Sequence, residues 1–265
     1  MFDRFDRQIN YLRISVTDKC NLRCVYCMPA EGVVLRPHQD FLSFEQITDV
    51  ARAAIGLGVS KIRLTGGEPL VKRGIVELVA MLAPLAGLDH LAMTTNGTLL
   101  ARYAGELKAA GLHSLNVSLD TLDAERYGSL TRGGDIDAVH AGIRAALAQG
   151  FAVKINMVVL DDTSEQEIAG MREFCTRAGA QLQLIDQFHL KRKKTDTKRF
   201  DRPGSCAACN RIRLTPDGKL KPCLHSDREI AIDFTRLEES LTEAILAKPV
   251  RGDVCTNREM VQIGG

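Results

Sequence analysis

In a series of short β-rich runs, every second position carries a polar side chain: Arg13 and Ser15; Lys61, Arg63 and Thr65; Asn116, Ser118 and Asp120; Lys154 and Asn156. The positions between them, such as Ile62, Leu64, Leu115, Val117, Val153 and Ile155, are aliphatic. A period of two puts the two sets on opposite faces of a strand. Amphipathic stretches such as SFEQITDVARAAIGLG and LLARYAGELKAA separate the runs, so the chain reads as repeated βα and predicts a parallel sheet. Six strands are expected, near 10–16, 60–65, 89–94, 113–119, 152–159 and 181–186. Ser43 with Gln46 and Ser164 with Glu167 read as capping boxes, and Gly56, Gly58 and Gly179 as helix ends.

Helices on one side of such a sheet cover its aliphatic face and leave the polar face looking into a barrel interior. Half-exposed strands with a solvated polar face are the alternative. Six units fall short of the eight of a closed barrel. The expected fold class is therefore α/β, a partial (βα)6 TIM-like barrel over 1–187, followed by a linker and a C-terminal cysteine-bearing extension over 188–265. A length of 265 residues suits that arrangement. With 45% hydrophobic and 26% charged residues and a net charge of +2, the composition is that of a soluble enzyme and excludes disorder and collagen-like structure. No apolar run approaches a membrane span, and MFDRFDRQIN lacks the apolar stretch of a secretory signal, so a cytoplasmic protein with no membrane partner is expected.

Eight cysteines in a reducing compartment do not make a disulfide framework. Cys175, inside a helical stretch, reads as a buried apolar side chain, and Cys255 also stands alone. The other six form two groups of three. Cys20, Cys24 and Cys27 lie in CNLRCVYC, just beyond the first strand, where βα barrels place their active sites. Three thiolates do not complete a tetrahedral zinc site without a distant fourth ligand, whereas they can hold a four-iron cluster that leaves one iron open. Cys206, Cys209 and Cys223 repeat the arrangement. They read either as a zinc knuckle completed by Cys255 or His225, or as a second cluster with its own open iron.

Arg13, Lys61, Arg63 and Lys154 point into the predicted lumen, and Arg211 and Arg213 flank the second group. Six cations in a cavity call for a polyanion such as a triphosphate, the alternative for any one of them alone being a rim salt bridge. The basic run at 191–202 has only Phe200 among its cations and the chain is near neutral, so no nucleic-acid partner is expected.

The first cysteine group resembles the motif of the radical S-adenosylmethionine enzymes, and TGGEP at 65–69, TTNG at 94–97 and SLD at 118–120 fall at strand ends as in that superfamily. More narrowly, residues 7–186 and 203–265 resemble the GTP 3′,8-cyclase family of molybdenum cofactor biosynthesis, through DRQINYLRISVTDKCNLRCVYCMP, KIRLTGGEPL, CNRIRLTPDGKLKPCL and the terminal QIGG. The resemblance implies a lyase with two 4Fe-4S clusters and S-adenosylmethionine, converting GTP to 3′,8-cyclo-7,8-dihydro-GTP. It implies that Cys20, Cys24 and Cys27 hold the cluster at which S-adenosylmethionine yields a 5′-deoxyadenosyl radical. Gly66, Gly67, Glu68, Thr94 and Ser118 would contact that cofactor. Cys206, Cys209 and Cys223 would hold the cluster whose open iron binds guanine. Arg13, Lys61, Arg63, Lys154, Arg211 and Arg213 would bind the substrate, and Gly264 and Gly265, which taken alone read as a frayed end, would reach into the site. A flavodoxin or ferredoxin would deliver the electron, to a monomer or homodimer.

Two departures from that pattern stand out. The chain is several dozen residues short between Phe188 and Cys206, and Gln183 stands where the family has an arginine. Lys191, Arg192, Lys193, Lys194, Lys198 and Arg199 offer a replacement cation or form a solvated loop. These departures leave open a radical enzyme acting on another nucleotide or a peptide, and a non-catalytic two-cluster electron-transfer protein.

Overall fold

Six strands form where the alternation predicts them. In the computed structural model, which describes residues 1–34, 36–193, 199–200 and 204–264, they are β1 (Tyr11–Ser15), β2 (Lys61–Thr65), β3 (His90–Thr95), β4 (Ser114–Ser118), β5 (Ala152–Val159) and β6 (Gln181–Asp186). Between them lie α1 (Phe44–Gly56), α2 (Ile75–Leu82), α3 (Leu100–Ala109), α4 (Ala124–Thr131), α5 (Ile136–Ala148) and α6 (Glu165–Ala178). Both capping boxes form, Ser43 exchanging bonds with Gln46 and Ser164 with Glu167, and Gly179 closes α6 in the left-handed region at φ 74°.

The sheet continues past residue 188. β7 (Arg211–Leu214), β8 (Lys219–Lys221) and β9 (Ile230–Ala231) extend it, followed by α7 (Leu237–Leu246) and the short α8 (Met260–Ile263). The strand order is β6-β5-β4-β3-β2-β1-β7-β8-β9, with β1 to β7 parallel to their neighbours and β8 and β9 antiparallel. This C-terminal hairpin was not anticipated, although its turn has the right chemistry. Pro216 and Asp217 lead into Gly218 at φ 73°, and Thr215 accepts from the Gly218 N–H at 3.1 Å.

One continuous core lies under the whole sheet. Leu12, Ile14, Ile62, Leu64, Leu115, Val117 and Ile155 are fully buried in it, with Ile212, Leu214 and Leu220 of the extension and Leu241 and Ile245 of α7. Each such side chain contributes roughly 1.5–3 kcal/mol relative to exposure. A slip of β1 by one residue would turn Leu12 and Ile14 out of the core and Arg13 into it, so the core fixes the register. That register sets Arg13 directly beside Arg63 on β2 and Arg213 on β7, and Tyr11 beside Lys61 and Arg211. The polar face lines a cavity that opens to solvent, with Arg213 buried, Arg13 and Arg63 half-buried and Lys61 exposed. Among the described residues no helix is long and apolar enough to cross a membrane.

Candidate active site

Two adjoining chambers open on the polar face and share Thr94, Asn156, Ile185 and Phe188 as a common wall. The smaller, about 190 Å³, is lined by Cys20, Cys24 and Cys27, with Gly66, Gly67, Thr94 and Ser118 around them and Met260 and Val261 of α8 closing one side. Its floor depends on glycine. A Cβ at Gly66 would lie 2.7 Å from Thr17 O, and one at Gly67 would lie 2.3 Å from Lys19 O, so only side-chain-free residues let the end of β2 pass under the cysteine loop. The Gly67 N–H donates to Thr17 O at 2.9 Å and the Glu68 N–H to Lys19 O at 2.9 Å, fixing that close approach.

Glu68 sits behind this wall rather than in it. Its carboxylate is fully buried and accepts from Leu70 N (3.0 Å), Thr95 Oγ1 (2.7 Å) and Asn96 N (2.6 Å), and burial pushes it up to about 7. It therefore braces the TTNG turn, whose Asn96 amide faces Cys20 Sγ at 3.9 Å. Tyr26, between the second and third cysteines, donates to Asp120 Oδ2 at 2.5 Å and ties the loop to the end of β4. Burial, then Asp120 and Cys20, push the Cys24 thiol up to about 12, and burial with Cys24 raises Cys27 as well. Thiols that oppose one another's ionisation are suited to a cation that reverses the balance.

The larger chamber, about 450 Å³, gathers all six predicted cations, Arg13, Lys61, Arg63, Lys154, Arg211 and Arg213, and all three cysteines of the second group. Like charges side by side on neighbouring strands are destabilising. Burial, followed by Arg213, holds Arg13 well below the ordinary arginine range, and burial with Arg211 brings Arg213 down to about 10. Arg63 is partly committed already, donating to Tyr11 OH at 2.5 Å and Asn116 Oδ1 at 2.8 Å. Gln183 lies in the same wall. Of the linker cations, Lys191 pairs with Glu259 beside Cys27, away from this chamber, and Arg199 pairs with Glu165. Lys194, Lys198 and Gly265 lie outside the described residues.

Two side chains that brace the second cysteine group escaped the sequence reading. Lys248, all but buried, donates to Arg211 O (2.7 Å) and Pro222 O (2.9 Å) and approaches Cys209 Sγ at 3.5 Å. Although burial opposes it, the charges of Lys248 and Arg211 bring Cys209 down to about 6. Arg7 donates to Cys206 O at 2.9 Å and to Pro249 O at 2.8 Å. Both bond main-chain carbonyls, which leave no signature in residue type. Cys255 is fully buried against Leu190 and Ile263, outside both chambers, whereas His225 lines the larger one. Among the described residues no three cysteine, histidine or carboxylate side chains gather closely enough to hold one metal ion. Three thiols in the wall of each chamber are a donor set that an iron-sulfur cluster takes.

A parallel βα sheet with an open-sided three-thiol group at the end of its first strand defines a radical S-adenosylmethionine protein. The Radical SAM superfamily model matches residues 14–175. Among solved structures, Streptococcus suis SuiB bound to S-adenosylmethionine shares the fold, with a TM-score of 0.68 at 17% identity; the match covers 92% of this chain and 65% of SuiB. Within the superfamily the chain belongs to the GTP 3′,8-cyclase family. It is 39% identical to the GTP 3′,8-cyclase of Alkaliphilus oremlandii and 39% identical to that of Moorella thermoacetica, each over the full length of both chains. The first of these alignments spans 320 positions against 265 residues here, so that relative carries segments this chain lacks.

Proposed function

We propose that this protein is an enzyme that converts GTP to 3′,8-cyclo-7,8-dihydro-GTP. The observation that carries the reading is the row Arg63–Arg13–Arg213, set abreast by strand register in a chamber that also holds the second cysteine triad and adjoins the first. Cys20, Cys24 and Cys27 would hold a 4Fe-4S cluster, and Cys206, Cys209 and Cys223 a second one. When bound, the first cluster and S-adenosylmethionine supply radical chemistry at the ribose, which the protein positions and shields.

The residues of the chain do the binding. The close-packed turn at Gly66 and Gly67 leaves main-chain polar groups for the amino end of S-adenosylmethionine, with Thr94 and Ser118 lining the same chamber. Arg13, Lys61, Arg63, Lys154, Arg211 and Arg213 receive the triphosphate, whose charge relieves their mutual repulsion. Cys206, Cys209 and Cys223 would hold the cluster that takes the guanine base. Thr94 and Asn156, in the common wall, face both the cofactor and the ribose side. Arg213 holds the Gly264 carbonyl, which brings the tail to the junction of the two chambers. A flavodoxin or ferredoxin supplies the electron, and the free thiols suit a cytoplasmic setting. Gln183 in the triphosphate wall, together with the short 188–205 segment, favours another nucleotide as the second reading.

The test is an anaerobic reaction of reconstituted protein with S-adenosylmethionine, a reductant and GTP, followed by chromatography with mass detection. A species isomeric with GTP, formed in step with 5′-deoxyadenosine, supports the cyclase. 5′-Deoxyadenosine with unchanged GTP overturns the substrate and leaves the radical machinery standing.

A further inference from the structure

The cysteine loop of the first triad is fastened to the C-terminal end of α4 from both directions. The N–H groups of Arg23 and Val25, on either side of Cys24, donate to Thr131 O (3.1 Å) and Leu130 O (3.0 Å), two of the carbonyls a helix end leaves without intrahelical partners. Arg132 returns the contact. Its Nη1 donates to Arg23 O at 2.8 Å and to Met28 O at 3.0 Å, so one nitrogen spans the stretch that contains both Cys24 and Cys27.

The backbone at Arg132 gives that contact its meaning. The residue caps α4 in the left-handed region at φ 56°, a conformation that glycine adopts freely and that strains a side-chain-bearing residue. Among the described residues Asp6 is the one other non-glycine residue at positive φ. A position suited to glycine is occupied instead by the residue whose side chain closes the cysteine loop. Backbone strain of this kind persists where the surrounding structure needs the geometry it enforces.

We propose that Arg132 is a positioning residue for the first cluster: it sets Cys24 and Cys27 in their ligating geometry before iron arrives and resists their separation afterwards. The proposal rests on the family's cluster and not on GTP as substrate. Groups that orient metal ligands from behind typically change metal affinity by roughly 10–100-fold when removed.

The test compares Arg132→Gly and Arg132→Lys with wild type in the full chain, without GTP. Readouts are the rate at which a chelator strips the first cluster, the change in its reduced electron paramagnetic resonance signal on adding S-adenosylmethionine, and the melting temperature of the metal-free protein. Arg132→Gly relieves the strain, so it should melt no lower than wild type. It should nevertheless lose the first cluster roughly tenfold faster and give a broadened, weaker response to S-adenosylmethionine. Arg132→Lys, which keeps a donor, should recover most of both. Wild-type chelator kinetics and signal in Arg132→Gly would overturn the proposal. Should Arg132→Gly melt lower, Arg132→Lys decides: recovery of cluster retention supports the role, and loss equal to that of the glycine variant overturns it.

Discussion

The Arg213 guanidinium donates to the main-chain carbonyl of Gly264 at 2.5 Å, joining one end of the arginine row to the last described residue of the chain. Gly264 is at φ 75°, and a Cβ there would lie 2.1 Å from Thr65 Oγ1, so the tail is seated against the end of β2 by the absence of a side chain.

Gly264→Ala should therefore unseat the tail without touching either cysteine triad. Displacement by about an ångström commonly costs on the order of 100-fold in rate. We expect product formation to fall by about that factor while iron content is unchanged, measured by quantifying cyclised nucleotide against bound iron.

Arg13→Met should have opposite effects on stability and binding. Removing the central cation of the row relieves repulsion in the ligand-free protein, and each kcal/mol relieved raises the melting temperature by roughly 2–4 °C. GTP should bind about 10–100-fold more weakly, since a charge-assisted hydrogen bond is worth about 1.5–3 kcal/mol. Calorimetric titration and thermal melts with and without GTP check both signs.

Lys248→Met should cost the protein about half its iron. The Arg211 and Pro222 carbonyls lose their donor, at about 1–3 kcal/mol each when buried, and Cys209 loses the charge that favours its thiolate. Iron and sulfide assays after reconstitution, together with survival of the signal that responds to S-adenosylmethionine, show whether the second triad alone is affected.

Glu68 gives a pH signature. Its folded value of about 7 lies above the 4.5 of an unperturbed glutamate, so the folded state binds the more protons between those limits. Its contribution to stability is full below about 4.5, declines as pH rises through that window and is constant above it. In melts of the metal-free protein, the gap between wild type and Glu68→Ala should narrow from pH 5 to 7 and then level off. A gap that widens with pH would contradict the burial assigned to this carboxylate.

The barrel strands and four of the cations, Arg13, Lys61, Arg63 and Lys154, were legible because period-two alternation places each residue on a face before any contact is known, whereas Arg211 and Arg213 were read only as neighbours of the second cysteine group. Cys20, Cys24 and Cys27 were legible as a spacing. The β7–β8 hairpin was also written in the chain, as RIRL and KLK around TPDG, but the flanking cysteines drew the reading toward ligand spacing. Glu68 came with its glycines through the resemblance, and sequence adjacency does not reveal which side of a turn a carboxylate faces; here it faces Thr95 and Asn96. Arg7, Arg132 and Lys248 were not legible, because each acts on main-chain carbonyls that any residue type can present. Alternation shows where charge goes; it does not show what holds a loop still.

The placement of β7 beside β1 has a consequence for how the molecule comes into being. Tyr11 pairs with Arg211, about 200 positions later, so β1 leaves the ribosome long before its second neighbour does. Until then its open edge is a template for unwanted pairing, and the half-made sheet carries Arg13 and Arg63 without Arg213. Until β7 has been made, the row of three arginines and the chamber wall it forms are both incomplete.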